Sequence, residues 1–234
     1  MKHVSLSLAL MFALVLTLGA QTKADPIPFT DAKEVDLLQL LPPPPANDSA
    51  VTKAELNAVF AVQNGRTKAQ SDRAIADDAE EIWRFADVVN NPAFVAEKLP
   101  VFAAFFDRVV ATEPAVVDPA KNTWSRPRPY MADTRINPLL KKKTSGAYPS
   151  GHTTIGTLMS ILLADMLPEL RAAIGTRAAE YADNRVVAGM HYASDLDAGK
   201  RAATAIAAVL QTKTSFDREF QAAKSEVRGV LGYK

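Results

Sequence analysis

His152 and His191 mark the two places along this chain where imidazole, cationic and carboxylate side chains crowd together. His152 closes the run Pro149-Ser150-Gly151-His152, and His191 lies six residues after Arg185 and four before Asp195. Upstream, Lys121 and Arg128-Pro129 are separated by six residues. Imidazole changes charge near neutral pH and serves as nucleophile or proton donor. Two imidazoles among three cations and one carboxylate suit the movement of a phosphoryl group, because the cations stabilise the charge that builds on the transferred oxygens.

Each cluster suggests a role and also fits a plainer reading. Residues four apart share a face on a helix, so Asp195 can accept a bond from one nitrogen of His191, fix its tautomer and leave the other nitrogen as a nucleophile. Arg185 is off that face, and a bend between them, with Gly189 as its natural place, is needed to bring them together. Ser150 is placed to cap a helix, Gly151 lets backbone approach a ligand closely, and the free N–H groups of a first helical turn attract an anion. His152 would then stand beside that anion, ready to donate a proton. Arg128 can grip two phosphoryl oxygens while Lys121 acts as a point charge. Taken singly, these are also what a surface His–Asp pair, a capped helix and a solvated basic loop look like. Arg126 is placed outside the contact shell, and Lys141, Lys142 and Lys143 read as a solvated run, with a role in raising the local anion concentration at the pocket mouth as the alternative.

The elements that must position these residues read as helices. One begins near Thr52, with Thr52 and Glu55 at capping-box spacing. Another runs from about Lys68 to Val89, with Ile75, Ile82, Phe85 and Val89 on one face, and a third covers residues 93–112. Residues 113–148 are rich in proline, glycine and cations and read as a long loop. Helices resume over Ser150–Leu167, Pro168–Ala188, Tyr192–Leu210 and Ser215–Val230. No segment alternates with the period of a strand, so the expected fold is an all-α single-domain bundle.

The 234 residues are 48% hydrophobic and 23% charged, with a formal net charge of +1, which argues against nucleic acid as a partner. Lys2 and His3, the apolar run Val4–Leu18 and small residues at Gly19, Ala20 and Ala24 have the order of a secretory signal peptide over residues 1–24, cleaved after Ala20 or Ala24. The run is shorter than the roughly 20 residues of a spanning helix, so no stable membrane insertion is expected. There is no cysteine, and hence no disulfide, thiolate metal site or cysteine nucleophile. Residues 25–48 read as an extended arm with one short helical stretch stopped by Pro42–Pro45, the proline run being expected to act as a rigid surface strap, and residues 49–234 form the helical domain. With both histidines committed, no metal site is expected.

The three clusters in this order resemble the signature of the phosphatidic-acid-phosphatase type 2 superfamily: Lys-x6-Arg-Pro, Pro-Ser-Gly-His and Ser-Arg-x5-His-x3-Asp. The one departure is Asn184 in place of serine. The chain is similar in particular to the bacterial class A non-specific acid phosphatases. That resemblance implies a helical bundle of the kind shared with the haloperoxidases, and a periplasmic or secreted, metal-independent, cofactor-free acid phosphatase of phosphate monoesters. It also implies a homo-oligomer, and the chemistry allows phosphotransfer wherever an alcohol displaces water. The implied roles are His191 as nucleophile through a phosphohistidine, Asp195 as its orienter, and His152 as acid. Lys121, Arg128, Arg185, Ser150 and Gly151 would form the phosphate cradle. A vanadium-dependent haloperoxidase and a lipid or pyrophosphate phosphatase share the signature and stand as alternatives. The Asp195 carboxylate and a bound dianion are expected to raise the imidazole pKa values. Tyr148, Trp124, Tyr130 and Tyr192 are candidates either for a pocket wall or for the core.

Overall fold

The computed structural model describes residues 25–234, so the signal-peptide segment lies outside the described residues. The described chain is all-α, without a strand. Its α-helices are α1 (Leu37–Leu40), α2 (Ala50–Gly65), α3 (Lys68–Ala76), α4 (Ala86–Val89), α5 (Pro100–Trp124), α6 (Pro129–Ala132), α7 (Gly151–Met166), α8 (Arg171–Val187), α9 (Ala193–Leu210) and α10 (Thr214–Leu231). None of them is long and apolar enough to cross a membrane.

Helix α7 is the axis of the bundle. Its apolar residues run all round it, with Ile155, Leu158, Met159, Leu162, Leu163 and Met166 buried, and a helix of that kind must be enclosed on every side. Helices α8, α9 and α5 enclose it. Helix α10 is amphipathic and lays Phe216, Phe220, Ala223 and Val227 inward. Its phenylalanines meet Phe105 of α5 with ring centroids 5.5 and 6.0 Å apart. This is the apolar layer that fixes the far ends of the helices whose near ends carry the polar clusters.

Several elements differ from expectation. Helix α2 is capped by Ser49, which accepts the Thr52 N–H. Thr52 donates instead to Ala46 O, and Glu55 is used elsewhere. A true capping box occurs at Thr67 and Gln70. The expected 68–89 helix breaks at Asp77, whose fully buried carboxylate accepts from Arg84, Arg177 and Asn184. Satisfying that buried charge draws the chain out of the helix, and a 3-10 turn at Ile82–Phe85 restarts it. Ile75 is consequently exposed, not on a shared apolar face.

The largest correction concerns residues 113–148. Helix α5 continues to Trp124 through Pro114 and Pro119. Proline at 119 removes the N–H that would serve the Ala115 carbonyl. The arm supplies a replacement, since Ala32 N–H donates to Ala115 O at 3.2 Å. Val116, Val117 and Ala120 meanwhile keep one face buried. Lys121 therefore sits in the last turn of a rigid helix, ended by Ser125 at φ 46°. The proline run Pro42–Pro45 is tied down where Tyr148 Oη donates to Pro42 O at 2.8 Å.

Candidate active site

One cavity of about 310 Å³ is lined by Lys121, Arg128, Gly151, His152, Arg185 and His191 among others. Six of the eight residues singled out from the sequence thus face one space. Ser150 and Asp195 stand behind it. Ser150 caps α7 by accepting the Thr153 N–H, and its own N–H donates to Asp195 O at 3.0 Å.

His191 is held from two sides. Its Nδ1 lies 3.2 Å from Asp195 Oδ2. Its Nε2 lies 3.0 Å from Arg128 Nη1. A guanidinium has no acceptor, so Nε2 must accept, and the ring proton is on Nδ1 facing Asp195. The lone pair of a neutral imidazole therefore points among the cations, where it accepts from Arg128. Burial drives the His191 pKa well below its ordinary value, and the charges of Arg128, Arg185 and Lys121 act in the same direction. The expectation of a raised imidazole pKa is corrected for His191 in the free protein, because desolvation and three cations outweigh one carboxylate.

The His191–Asp195 spacing does not work as expected either. His191 lies outside any helix, two residues before α9 begins. Asp195 is the third residue of α9 and folds back to accept the Tyr192 N–H at 2.9 Å, so one carboxylate caps the helix and holds the imidazole. The bend after Arg185 is at Gly189, with φ +72°. A side chain there would be strained in the left-handed region. Met190 N–H closes the turn onto Arg185 O at 3.0 Å.

The cations differ in how free they are. Arg128 donates to Ser145 O, Ser145 Oγ, Gly146 O and Met190 O, so its position is fixed. Arg185 is 1% exposed, yet its Nε and Nη1 have no hydrogen-bond partner, and only Nη2 reaches Asp78 Oδ1 at 3.2 Å. Lys121 Nζ lies 3.8 Å from Glu113 and 3.7 Å from Asp118.

Sequence reasoning missed the acidic side of the site. His152 Nδ1 lies 2.8 Å from Glu80 Oε1, and Nε2 lies 3.3 Å from Asp78 Oδ1 and 3.1 Å from Asp78 O. Both ring nitrogens face oxygens, so the doubly protonated ring satisfies both. The His152 hydrogen bond, with Arg185 adding its charge, holds the Asp78 carboxyl well below the usual range. These carboxylates come from the break after α3, and no spacing rule connects that break to position 152.

Arg126 stands outside the cavity, as expected, but the sequence did not show what it holds. It is fully buried and donates from Nη1 to Asp195 Oδ1 at 2.6 Å and to Ser194 Oγ at 2.7 Å. From Nη2 it donates to Glu55 Oε2 at 2.9 Å, and its guanidinium lies 4.0 Å over the Tyr192 ring. Arg126 touches nothing in the cavity, but it locks the carboxylate that locks His191. Burial pushes the Asp195 carboxyl up to about 7, against the pull of Arg126 and the Tyr192 amide.

Two open alternatives are decided by the structure. The aromatic candidates do not line the cavity: Tyr130, Tyr148 and Tyr192 are buried, and Trp124 packs against Tyr148 with centroids 5.0 Å apart. Lys143 lines it, in keeping with the pocket-mouth alternative for the lysine run. Asn184 is buried and donates to Asp77 Oδ2 at 2.8 Å, which makes it a support of the break after α3.

The geometry agrees with comparison to known proteins. The model of the PAP2 superfamily matches residues 104–218, a span that contains every cavity-lining residue of the sequence signature. The chain carries a PAP2 superfamily domain over that span. Its relatives include an acid phosphatase of Zymomonas mobilis, 35% identical over 136 residues. That alignment covers 56% of this chain and 51% of the Zymomonas protein, so the chain matches about half the length of that relative. A non-specific acid phosphatase of Salmonella typhimurium is 28% identical over 93% of this chain and 91% of its own. Among solved structures, a bacterial vanadium-dependent iodoperoxidase superposes with a TM-score of 0.54 at 20% identity, covering 74% of this chain and 52% of that one. The bundle is thus of the PAP2 and haloperoxidase type. Within this PAP2 bundle, the signature residues are spread over α5, the loop before α6, the start of α7, the end of α8 and the turn into α9.

Proposed function

We propose that the protein is a metal-independent acid phosphatase acting on phosphate monoesters through a phosphohistidine. The observation that carries this reading is Arg185: a buried guanidinium with two unpartnered N–H-bearing nitrogens in the cavity that also holds the unprotonated Nε2 of His191. Buried donors without partners are rare and costly, and a tetrahedral oxyanion would satisfy them. The names of the relatives point to the same chemistry.

In this reading Lys121, Arg128 and Arg185 bind the non-bridging oxygens. The Nε2 lone pair of His191 attacks phosphorus as the bond to the ester oxygen breaks, and His152 gives that oxygen its proton. Water then attacks the phosphohistidine, His152 takes the proton back, and inorganic phosphate leaves with His191 regenerated. An alcohol in place of water gives phosphotransfer. Asp195 orients His191. The cations supply the charge stabilisation that a metal supplies elsewhere. The apolar run Val4–Leu18 supports export as part of the same reading.

The test is hydrolysis of p-nitrophenyl phosphate by the purified protein in EDTA from about pH 4 to about pH 9. kcat/KM reports the free enzyme. The depressed pKa of His191 keeps it unprotonated into acid, so the acid limb is expected below the ordinary imidazole value of about 6.5. The general-acid role assigned to His152 makes a bell-shaped profile the expected form. A rate that climbs steadily to pH 9, or halide oxidation with vanadate and peroxide in place of ester hydrolysis, would sink the reading.

Gly151→Ala is a second expected result. A Cβ at 151 would lie 2.3 Å from Glu113 Oε1 and 2.7 Å from Lys121 Nζ, so the cradle must spread to admit it. Displacement of this kind costs on the order of 100-fold in kcat/KM, with the unfolding midpoint little changed. Unaltered kinetics would show that close approach at 151 is not needed.

A further inference from the structure

Glu113 is absent from the mechanism above, yet its carboxyl is built into the cradle. It lies on α5 two turns before Lys121, lines the cavity and is 5% exposed. Its Oε1 is buried and has no hydrogen-bond partner. The clash a Cβ at Gly151 would make places this oxygen against the first residue of α7, where free N–H groups favour an anion. A carboxylate here competes with a phosphoryl group for the same charges, whereas a carboxylic acid has a proton to donate to it.

We propose that Glu113 is a proton-operated gate on the anion cradle, admitting a tetrahedral dianion and donating a hydrogen bond to it when neutral, and excluding it when ionised. The charged groups around Glu113 favour such behaviour. Lys121 on its own helix lies 3.8 Å away, too far for a tight ion pair, and is shared with Asp118. Glu80, from the break after α3, repels the ionised form, while His152 of α7 favours it. Burial is the largest influence and pushes the carboxyl up to about 7. The gate therefore stands open in acid and closes above neutral. This contributes to an acidic optimum separately from the histidines.

The inference rests on the oxyanion-cradle reading, and the test separates the two. Sulfate is a tetrahedral dianion throughout the working pH range, so its own charge does not change. Its affinity would be measured calorimetrically at about pH 6, 7 and 8 for the wild type and Glu113→Gln, with thermal unfolding to confirm that both are folded. If only the neutral form binds, the open fraction falls to about one tenth a unit above the transition, and the apparent Kd rises in proportion. The wild type should therefore lose about tenfold more affinity than the variant between pH 6 and pH 8. Glu113→Leu, uncharged and without a donor, should show the same flattened pH dependence with weaker binding throughout, and serves if the glutamine variant does not fold. Parallel pH dependence in wild type and variants would overturn the gate and leave the cradle intact. Absence of sulfate and phosphate binding by the wild type at pH 6 would overturn both.

Discussion

His191→Ala is expected to lower kcat for p-nitrophenyl phosphate by on the order of 10⁴-fold or more, the scale of losing a nucleophile, while phosphate binding changes only a few-fold. The asymmetry follows from the geometry. His191 supplies the Nε2 lone pair, but the oxyanion cradle is made by other residues: Arg185 keeps its unpartnered nitrogens, and Arg128 remains fixed by Ser145, Gly146 and Met190. Removing the imidazole even frees one Arg128 N–H that now points at Nε2. Rapid quenching with a labelled substrate should trap acid-labile phosphate on the wild type and none on the variant. Two successive displacements also predict net retention of configuration at phosphorus. Inversion, or turnover within tenfold of wild type, would mean that water attacks directly and His191 is not the nucleophile.

The contrast between what was and was not legible in the sequence follows physical lines. Helix α7 was readable because its cap, its apolar length and its boundaries are local properties, and α8 to α10 were readable for the same reason. Gly189 was readable as a bend because a left-handed turn favours glycine. Helix α5 was misjudged because Pro119 is tolerated only through a bond from Ala32, a partner 87 residues away that no local rule supplies. The break at Asp77 has the same origin: its cause is a buried carboxylate satisfied by Arg177 and Asn184, both of which come from α8. Most residues in tight motifs were legible as lining one cavity, whereas Asp78, Glu80 and Glu113 were not, nor was what Arg126 holds. The signal available for Arg126 was its place two residues before Arg128, in a stretch too polar for the core, but spacing says nothing of the carboxylates that meet it.

Arg126→Ala is expected to have the second largest effect, and it falls on stability and chemistry together. The guanidinium has no exposed side-chain surface and joins Asp195, Ser194 and Glu55, so it ties α2 to the start of α9. Removing one partner of a buried ion pair leaves an uncompensated charge and costs about 3–5 kcal/mol. At this chain length that corresponds to a fall of roughly 10 °C in Tm. Asp195 is the group left unpaired. Its carboxyl, already raised by burial, should rise further without the opposing pull of Arg126, so less of it is ionised at any given pH and its hold on the Nδ1–H of His191 weakens. The variant should therefore lose activity even well below its melting temperature, through kcat more than KM, because the cradle residues are untouched. Glu55→Gln provides the comparison. It removes the outer carboxylate but leaves the Arg126–Asp195 contact, so it should cost stability while sparing most of kcat. Equal losses of kcat in the two variants, or an Arg126→Ala protein that melts within a degree or two of wild type, would show that the buried guanidinium does not act through Asp195.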